Sequence, residues 1–321
     1  MATPIDVVIM AAGKGTRMKS ARPKVLHRLG GRALLAHVIT CAARLSARQA
    51  VVITGHGAIE VEAACGGFTP AEGSFGLKFA RQEPQLGTGH AVQQALPLLA
   101  DDGVTLVLSG DVPLTQPDTL AALLAACGGE RLALLTLELP DPTGYGRIER
   151  AADGNVRAIV EHKDATDAQR AIREIYSGIM AVPTRLLRGW LARLDNRNAQ
   201  NEYYLTDVVK FAVADGQTVK AHRITDAVQV AGVHSPVQLA ELERAHQRRL
   251  AEAFMEQGVR LADPARFDVR GELVCGQDVE IDVNCVFEGR VVLGNGVRIG
   301  PNCVLRDVCM AEHQWVAPFS D

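Results

Sequence analysis

Short unbroken apolar runs alternate with longer segments whose apolar residues recur every three or four positions over about the first 230 residues. Ile5–Met10, Val51–Thr54 and Val104–Leu108 are too short for helices and rich in branched residues, so they read as buried strands. Leu34–Leu45 and Ala91–Leu99 read as helices. Such alternation predicts an α/β domain with a largely parallel sheet, whose ligands lie at the carboxyl ends of its strands. A helix over 236–257 follows: Ser235 suits its N-cap, Pro236 its first position and Gly258 its stop.

From Val269 the period becomes six: VRGELV, CGQDVE, IDVNCV, FEGRVV, LGNGVR, IGPNCV, LRDVCM. Apolar or cysteine side chains fill the first and fifth positions throughout, the pattern of a parallel β-helix whose coils stack around one core. Cys285, Cys303 and Cys309 occupy the fifth position and are expected inside as small packing residues. The rhythm fades after Met310, so at three hexapeptides per coil the repeats make a little more than two coils.

A length of 321 residues agrees with about two domains. With 34 Lys and Arg against 37 Asp and Glu, the chain offers no broad basic face, and no nucleic-acid partner is expected. No uncharged apolar run reaches about 18 residues, so no membrane partner is expected either. The first residues, MATPIDVVIMAAGKG, lack a basic n-region and run straight into a strand, unlike a signal peptide. Seven cysteines without a CxxC pair point to free thiols in the cytoplasm.

The candidate chemistry sits where those strands end. Met10-Ala11-Ala12-Gly13-Lys14-Gly15-Thr16-Arg17-Met18 is a glycine turn able to form an anion-binding nest. It matches neither GxGxxG nor GxxxxGK[ST], because Met18 stands where each needs glycine. Lys14, Arg17 and Lys24 instead place three cations beside it, which suits a polyphosphate. A glycine turn with solvated lysines is the competing reading. Gln82-Glu83-Pro84-Gln85-Leu86-Gly87-Thr88-Gly89-His90 offers amides that can read a base edge. Ser109-Gly110-Asp111 supplies a carboxylate at a strand end, where Mg²⁺ can bridge phosphates. Further along lie DPTGYGRI (141–148), IVEHKD (159–164) and EYYLTD (202–207).

In this order, from Val7 to about Asp307, these motifs resemble the bacterial bifunctional N-acetylglucosamine-1-phosphate uridylyltransferase/glucosamine-1-phosphate acetyltransferase family. QLGTGHA and DPTGYGRI followed by IVEHKDAT carry the match most specifically. The resemblance implies a Rossmann-like nucleotidyltransferase domain (1–234) with a mixed, mostly parallel sheet, a linker helix (235–262) and a short left-handed β-helix (263–321). It implies uridine-binding roles for Met10, Ala11, Ala12, Gly13, Gln82, Gln85, Gly87 and Thr88, and phosphate-binding, catalytic roles for Arg17 and Lys24. Asp111 would hold Mg²⁺, with Ser109 and Gly110 beside it, and Gly146 and Glu161 would contact the sugar. The implied reaction is UTP plus N-acetylglucosamine 1-phosphate giving UDP-N-acetylglucosamine and pyrophosphate, a cell-envelope precursor step. A homotrimer through the β-helix is implied as well.

The chain departs from the family pattern in three ways. Tyr176-Ser177-Gly178 replaces a sugar-contacting Asn-Thr-Gly, which leaves Tyr176 in the substrate position. Gly232-Val233-His234 replaces Gly-Val-Asn, which puts His234 at the second metal-ligand position. Imidazole there would favour Mn²⁺ or Co²⁺ over Mg²⁺. The few coils make acetyl transfer unexpected from this chain. Two alternatives remain open: another nucleoside-diphosphate-sugar pyrophosphorylase, or a catalytically weakened sugar-nucleotide-binding protein.

Overall fold

The computed structural model describes residues 3–66 and 75–321. The chain divides into two compact units, Met1–Leu26 with Leu35–Gly232, and His27–Leu34 with Val233–Asp321.

In the first unit a nine-stranded sheet forms around the strand Ile5–Met10. Its parallel neighbours are Gln49–Thr54 on one side and Val104–Ser109 on the other. Gly76–Arg81 continues the parallel run beyond Gln49–Thr54. Past Val104–Ser109 comes Glu174–Pro183, antiparallel to both of its neighbours, then Ala133–Glu138 and Lys220–Ile224. Gly146–Arg150 pairs antiparallel with Glu174–Pro183 and with Val156–Val160. The sheet is therefore mixed and mostly parallel.

Strand side chains alternate between faces, and the first strand serves two cores. Val7 and Ile9 join the apolar cluster on one face while Val8 joins the other, all with no exposed surface. Burying each contributes on the order of 1.5–3 kcal/mol. A strand buried on both faces carries no polar alternation, which is why VVIM reads as an unbroken apolar run. The helices cover these faces. The first ends at Ala43, and the expected Ala91–Leu99 helix is Thr88–Ala95 followed by a tighter 3₁₀ turn at Leu96–Leu98. Pro97 has no N–H to continue the α-helical ladder there.

The strand order reverses beside Ile5–Met10. The chain first builds outward through Gln49–Thr54 and Gly76–Arg81, then returns to lay Val104–Ser109 on the opposite edge. Met10 and Ser109 face each other at the end of that pair. A crevice opens where the loops beyond two such strands diverge.

The second unit contains the helix Pro236–Glu256, whose Ser235 hydroxyl accepts from the Gln238 N–H. It also takes in a hairpin, Arg28–Leu29 with Arg32–Ala33, that lies in sequence inside the expected first domain. The Gly30 N–H donates to Glu243 Oε2 at 2.8 Å, holding this hairpin to the helix. Gln247 on the same helix is buried and acts as a strand partner. Its Nε2 donates to the Val269 carbonyl at 2.7 Å, and its Oε1 accepts from the Val269 N–H at 2.8 Å.

The repeats form parallel coils. Phe267–Cys275 lies parallel to Cys285–Leu293 with Phe267 opposite Cys285, an offset of three hexapeptides. Glu280 likewise pairs with Arg298. Among first and fifth positions, Phe287, Val291, Val297 and Cys303 are buried as expected. Cys309 is a correction, because it is exposed. Its strand pairs with Val292–Leu293, and no described strand stacks on its other edge.

Candidate functional site

The crevice at the strand reversal is a cavity of about 250 Å³, lined by Met10–Gly13, Lys24, Val25, Gln82, Gln85, Gly87, Thr88, Ala91, Ser109, Asp111 and Glu202. Three strand ends supply it. The first is the turn after Met10. Gly15 has φ +59°, and a Cβ there would come within 2.7 Å of the Lys24 Cβ, so glycine leaves room for the cation. Gly13 has nothing within 4 Å of where a side chain would be, and its backbone faces open space. Lys24 opens a 3₁₀ turn directly after Pro23.

From the second strand end come Ser109, Gly110 and Asp111. Asp111 is buried; its Oδ1 accepts from the Ser109 hydroxyl at 2.8 Å and its Oδ2 is ion-paired with Lys24. Removing either charge leaves the other enclosed without its partner, which is expensive at low exposure. Such a pair also suits a phosphate site: an incoming anion and its cation can take over the two halves of the contact. A carboxylate is a hard oxygen donor of the kind divalent cations such as Mg²⁺ take.

The third strand end carries the amide loop. Gln82 is buried, with Nε2 donating to the Gly87 carbonyl at 2.8 Å and lying 3.2 Å from His90 Nδ1. Part of its amide therefore holds the loop in shape. A neighbouring segment clasps the loop from outside. Gly89 donates to the Tyr203 carbonyl, Tyr203 to the Leu86 carbonyl, and Leu205 to the Thr88 hydroxyl. A Cβ on Gly87, at φ +107°, would meet the Tyr203 carbonyl at 2.7 Å, so this close approach requires glycine. His90, Tyr203 and the lining residue Glu202 were not singled out as site residues from sequence, although EYYLTD drew notice. Glu202 and Tyr203 come in through contacts across more than 100 residues of chain, which local pattern cannot signal, whereas His90 lies in the amide motif itself, eight residues from Gln82.

Gly146, Glu161 and Tyr176 form a second group. Gly146 stands opposite Tyr176 across paired strands; a Cβ there would meet the Ile159 side chain at 2.8 Å, with both Glu161 carboxylate oxygens at 3.8 Å. Glu161 Oε1 accepts from Thr206 at 2.9 Å. Burial pushes this carboxyl above the ordinary carboxylate range; the Thr206 bond opposes that, and Asp207, Asp164 and Glu202 add to it. Burial, and then the Asp111 charge, raise the phenol of neighbouring Tyr145.

Two further expected residues are not among the cavity's lining residues. Arg17 is exposed in the turn Thr16–Met18. His234 belongs to the second unit, where its backbone N–H donates to Gln238 Oε1 at 3.0 Å. Its role as a metal ligand rests on the resemblance alone.

A crevice at the strand reversal of a mixed, mostly parallel sheet defines an α/β fold of the ligand-binding kind. A family model for the MobA-like NTP transferase domain matches residues 7–175, and one for the bacterial transferase hexapeptide matches residues 273–307. A solved Bacillus anthracis structure named as a glucose-1-phosphate thymidylyltransferase shares the fold, with a TM-score of 0.59, 16% identity, and coverage of 74% of this chain and 94% of that one. "Bifunctional protein GlmU" of Polaromonas sp. (strain JS666) is 76% identical over all of this chain and 69% of its own length. The Bordetella petrii protein of the same name is 57% identical over 98% of this chain and 68% of its own.

The chain belongs to the GlmU family. It is a nucleotidyltransferase, with the uridylyltransferase activity that makes UDP-N-acetylglucosamine for cell-wall precursors and requires a divalent metal. About a third of the relatives' length, within the acetyltransferase half, has no counterpart in it. Among the described residues no helix is long and apolar enough to cross a membrane.

Proposed function

We propose that the first unit binds UTP in the 250 Å³ crevice, with uracil against Met10–Gly13 and the 82–88 loop and the phosphates toward Lys24 and Arg17. Asp111 would hold the metal, Mg²⁺ in this reading, which neutralises phosphate charge when bound. N-acetylglucosamine 1-phosphate would lie along Gly146 and Glu161, the half-buried carboxylate accepting from a sugar hydroxyl. A phosphate oxygen of the sugar substrate attacks the α-phosphorus of UTP in line. A new P–O bond forms, the bond to the β-phosphate breaks, and pyrophosphate leaves. Lys24 is positioned to move from Asp111 to a phosphate oxygen and offset charge building there. The residues need no covalent nucleophile, because alignment and charge stabilisation carry this chemistry.

The enclosed Lys24–Asp111 pair at the strand reversal, with an amide-rich loop across the same cavity, supports this reading most directly. We also read the β-helix as the trimer-forming part and the cytoplasm as the location. The decisive experiment measures pyrophosphate release with UTP, ATP, GTP and CTP, each against N-acetylglucosamine, glucose and mannose 1-phosphates. UTP with N-acetylglucosamine 1-phosphate should be fastest. A different best pair identifies another pyrophosphorylase, and no release with any pair identifies a silent binding protein. Light scattering tests the trimer, and a monomer at micromolar concentration overturns it.

A further inference from the structure

Two neighbours fix which way the side-chain amide of Gln82 points. Its nitrogen donates to the Gly87 carbonyl at 2.8 Å. A carbonyl oxygen only accepts, so the reverse orientation would set two oxygens against each other. The same nitrogen lies 3.2 Å from His90 Nδ1. An amide nitrogen only donates, so Nδ1 must offer its lone pair, and the proton of the neutral ring sits on Nε2. Both amide hydrogens are then engaged. Gln82 Oε1 makes no hydrogen bond among the described residues and is not one of the fully enclosed unpaired atoms, while Gln82 itself lines the crevice. His90 is held in turn. It is the third residue of the helix Thr88–Ala95, and its ring centroid lies 6.3 Å from that of Tyr203. It is half-buried and absent from the cavity lining, so it reaches a bound base only through Gln82.

We infer that His90 is a positioning residue for base selection: by taking the second amide hydrogen of Gln82, its Nδ1 leaves that side chain only an acceptor to offer the base. An acceptor matches the ring N3–H of uracil and opposes the bare N3 of cytosine. The inference rests on the UTP reading above and deepens it, because it gives part of the choice between pyrimidines to a residue the base does not touch. Without Nδ1 the second N–H is released, and the amide can turn about its one remaining bond and present a donor as well. A site that would leave a polar group unpaired against the wrong base rejects that base, and a site able to offer either group does not.

The test titrates UTP and CTP into wild type, His90→Phe and His90→Asn by calorimetry. Phenylalanine keeps a ring beside Tyr203 and removes the acceptor, whereas asparagine returns an acceptor, Oδ1, at the same branch of the side chain. His90→Phe should narrow the preference for UTP over CTP about tenfold, and His90→Asn should restore most of it. An unchanged preference in His90→Phe, or an equal loss of both nucleotides, overturns the inference while the functional reading stands. So does a His90→Asn that behaves like His90→Phe. In wild type, nitrogen NMR of the imidazole at pH 8 should find Nδ1 bare and Nε2 protonated, and a proton on Nδ1 overturns the inference whatever the variants do. A wild type that binds UTP no better than CTP removes the UTP reading itself, and this inference with it.

Discussion

Charged side chains are used in two ways in this molecule. On the β-helix they form exposed ladders between coils: Glu288 pairs with Arg270 and Arg306, and Glu272 with Arg290. Each partner sits one coil from the next, so the repeat that stacks the core also stacks the charges. Solvent screens such pairs, which are typically worth about 0–1 kcal/mol. At the strand reversal of the sheet, Lys24 and Asp111 are enclosed, 87 residues apart, and joined only by the fold. The β-helix keeps its energy in apolar packing and leaves charge outside. The nucleotidyltransferase unit encloses a charged pair at its crevice.

Breaking the packed side of this contrast should have the largest effect. Phe287 is buried between coils, its ring 5.7 Å from that of Phe267. Phe287→Ala should cost about 3–5 kcal/mol in denaturant unfolding of the second unit. A loss under ~1 kcal/mol would mean that the repeats do not share one continuous core. Next comes the buried pair. Lys24→Ala should weaken UTP binding about ten- to hundredfold, the effect of losing a contact worth about 1.5–3 kcal/mol. Wild-type affinity in that variant would remove Lys24 from the phosphate site.

The Glu161 carboxyl provides a test with a defined sign. Its folded value lies above the ordinary carboxylate range, so the native chain holds this proton more tightly than the unfolded chain does. Stability conferred by the protonated form is present at low pH and lost as pH rises from the ordinary value through the raised one. Glu161→Gln should therefore gain in Tm relative to wild type on going from about pH 4 to pH 8. A gap that shrinks with rising pH would show that the carboxylate is favourably held. The smallest effect belongs to the exposed ladder. Glu288→Gln should change stability by less than about 1 kcal/mol, a difference that 1 M salt erases. A larger, salt-insensitive loss would put Glu288 in a buried role.

How much of this was legible in the sequence differs between the units. The six-residue period exposed the β-helix because a repeat gives each position the same environment every coil. It misplaced Cys309, whose exposure depends on what stacks beyond it. Strand runs such as Ile5–Met10 were readable because burial on both faces leaves an unbroken apolar string. The hairpin His27–Leu34 was not separated from the first domain, since its place is fixed by the Gly30 bond to Glu243, over 200 residues away.

Sequence by itself determined the local grammar of the site: the glycine turn after Met10, the amide loop at Gln82–Thr88 and the carboxylate at Asp111. Each follows directly on a strand, and strand ends are set by short-range pattern and backbone preference. Only the tertiary structure decided that Asp111 pairs with Lys24, that Tyr203 clasps the Gly87 loop, and that Tyr176 stands opposite Gly146. These relations depend on which strands become neighbours and on distances of a few ångströms between residues far apart in the chain. No local period encodes such distances, because they arise only when the sheet closes around its two cores.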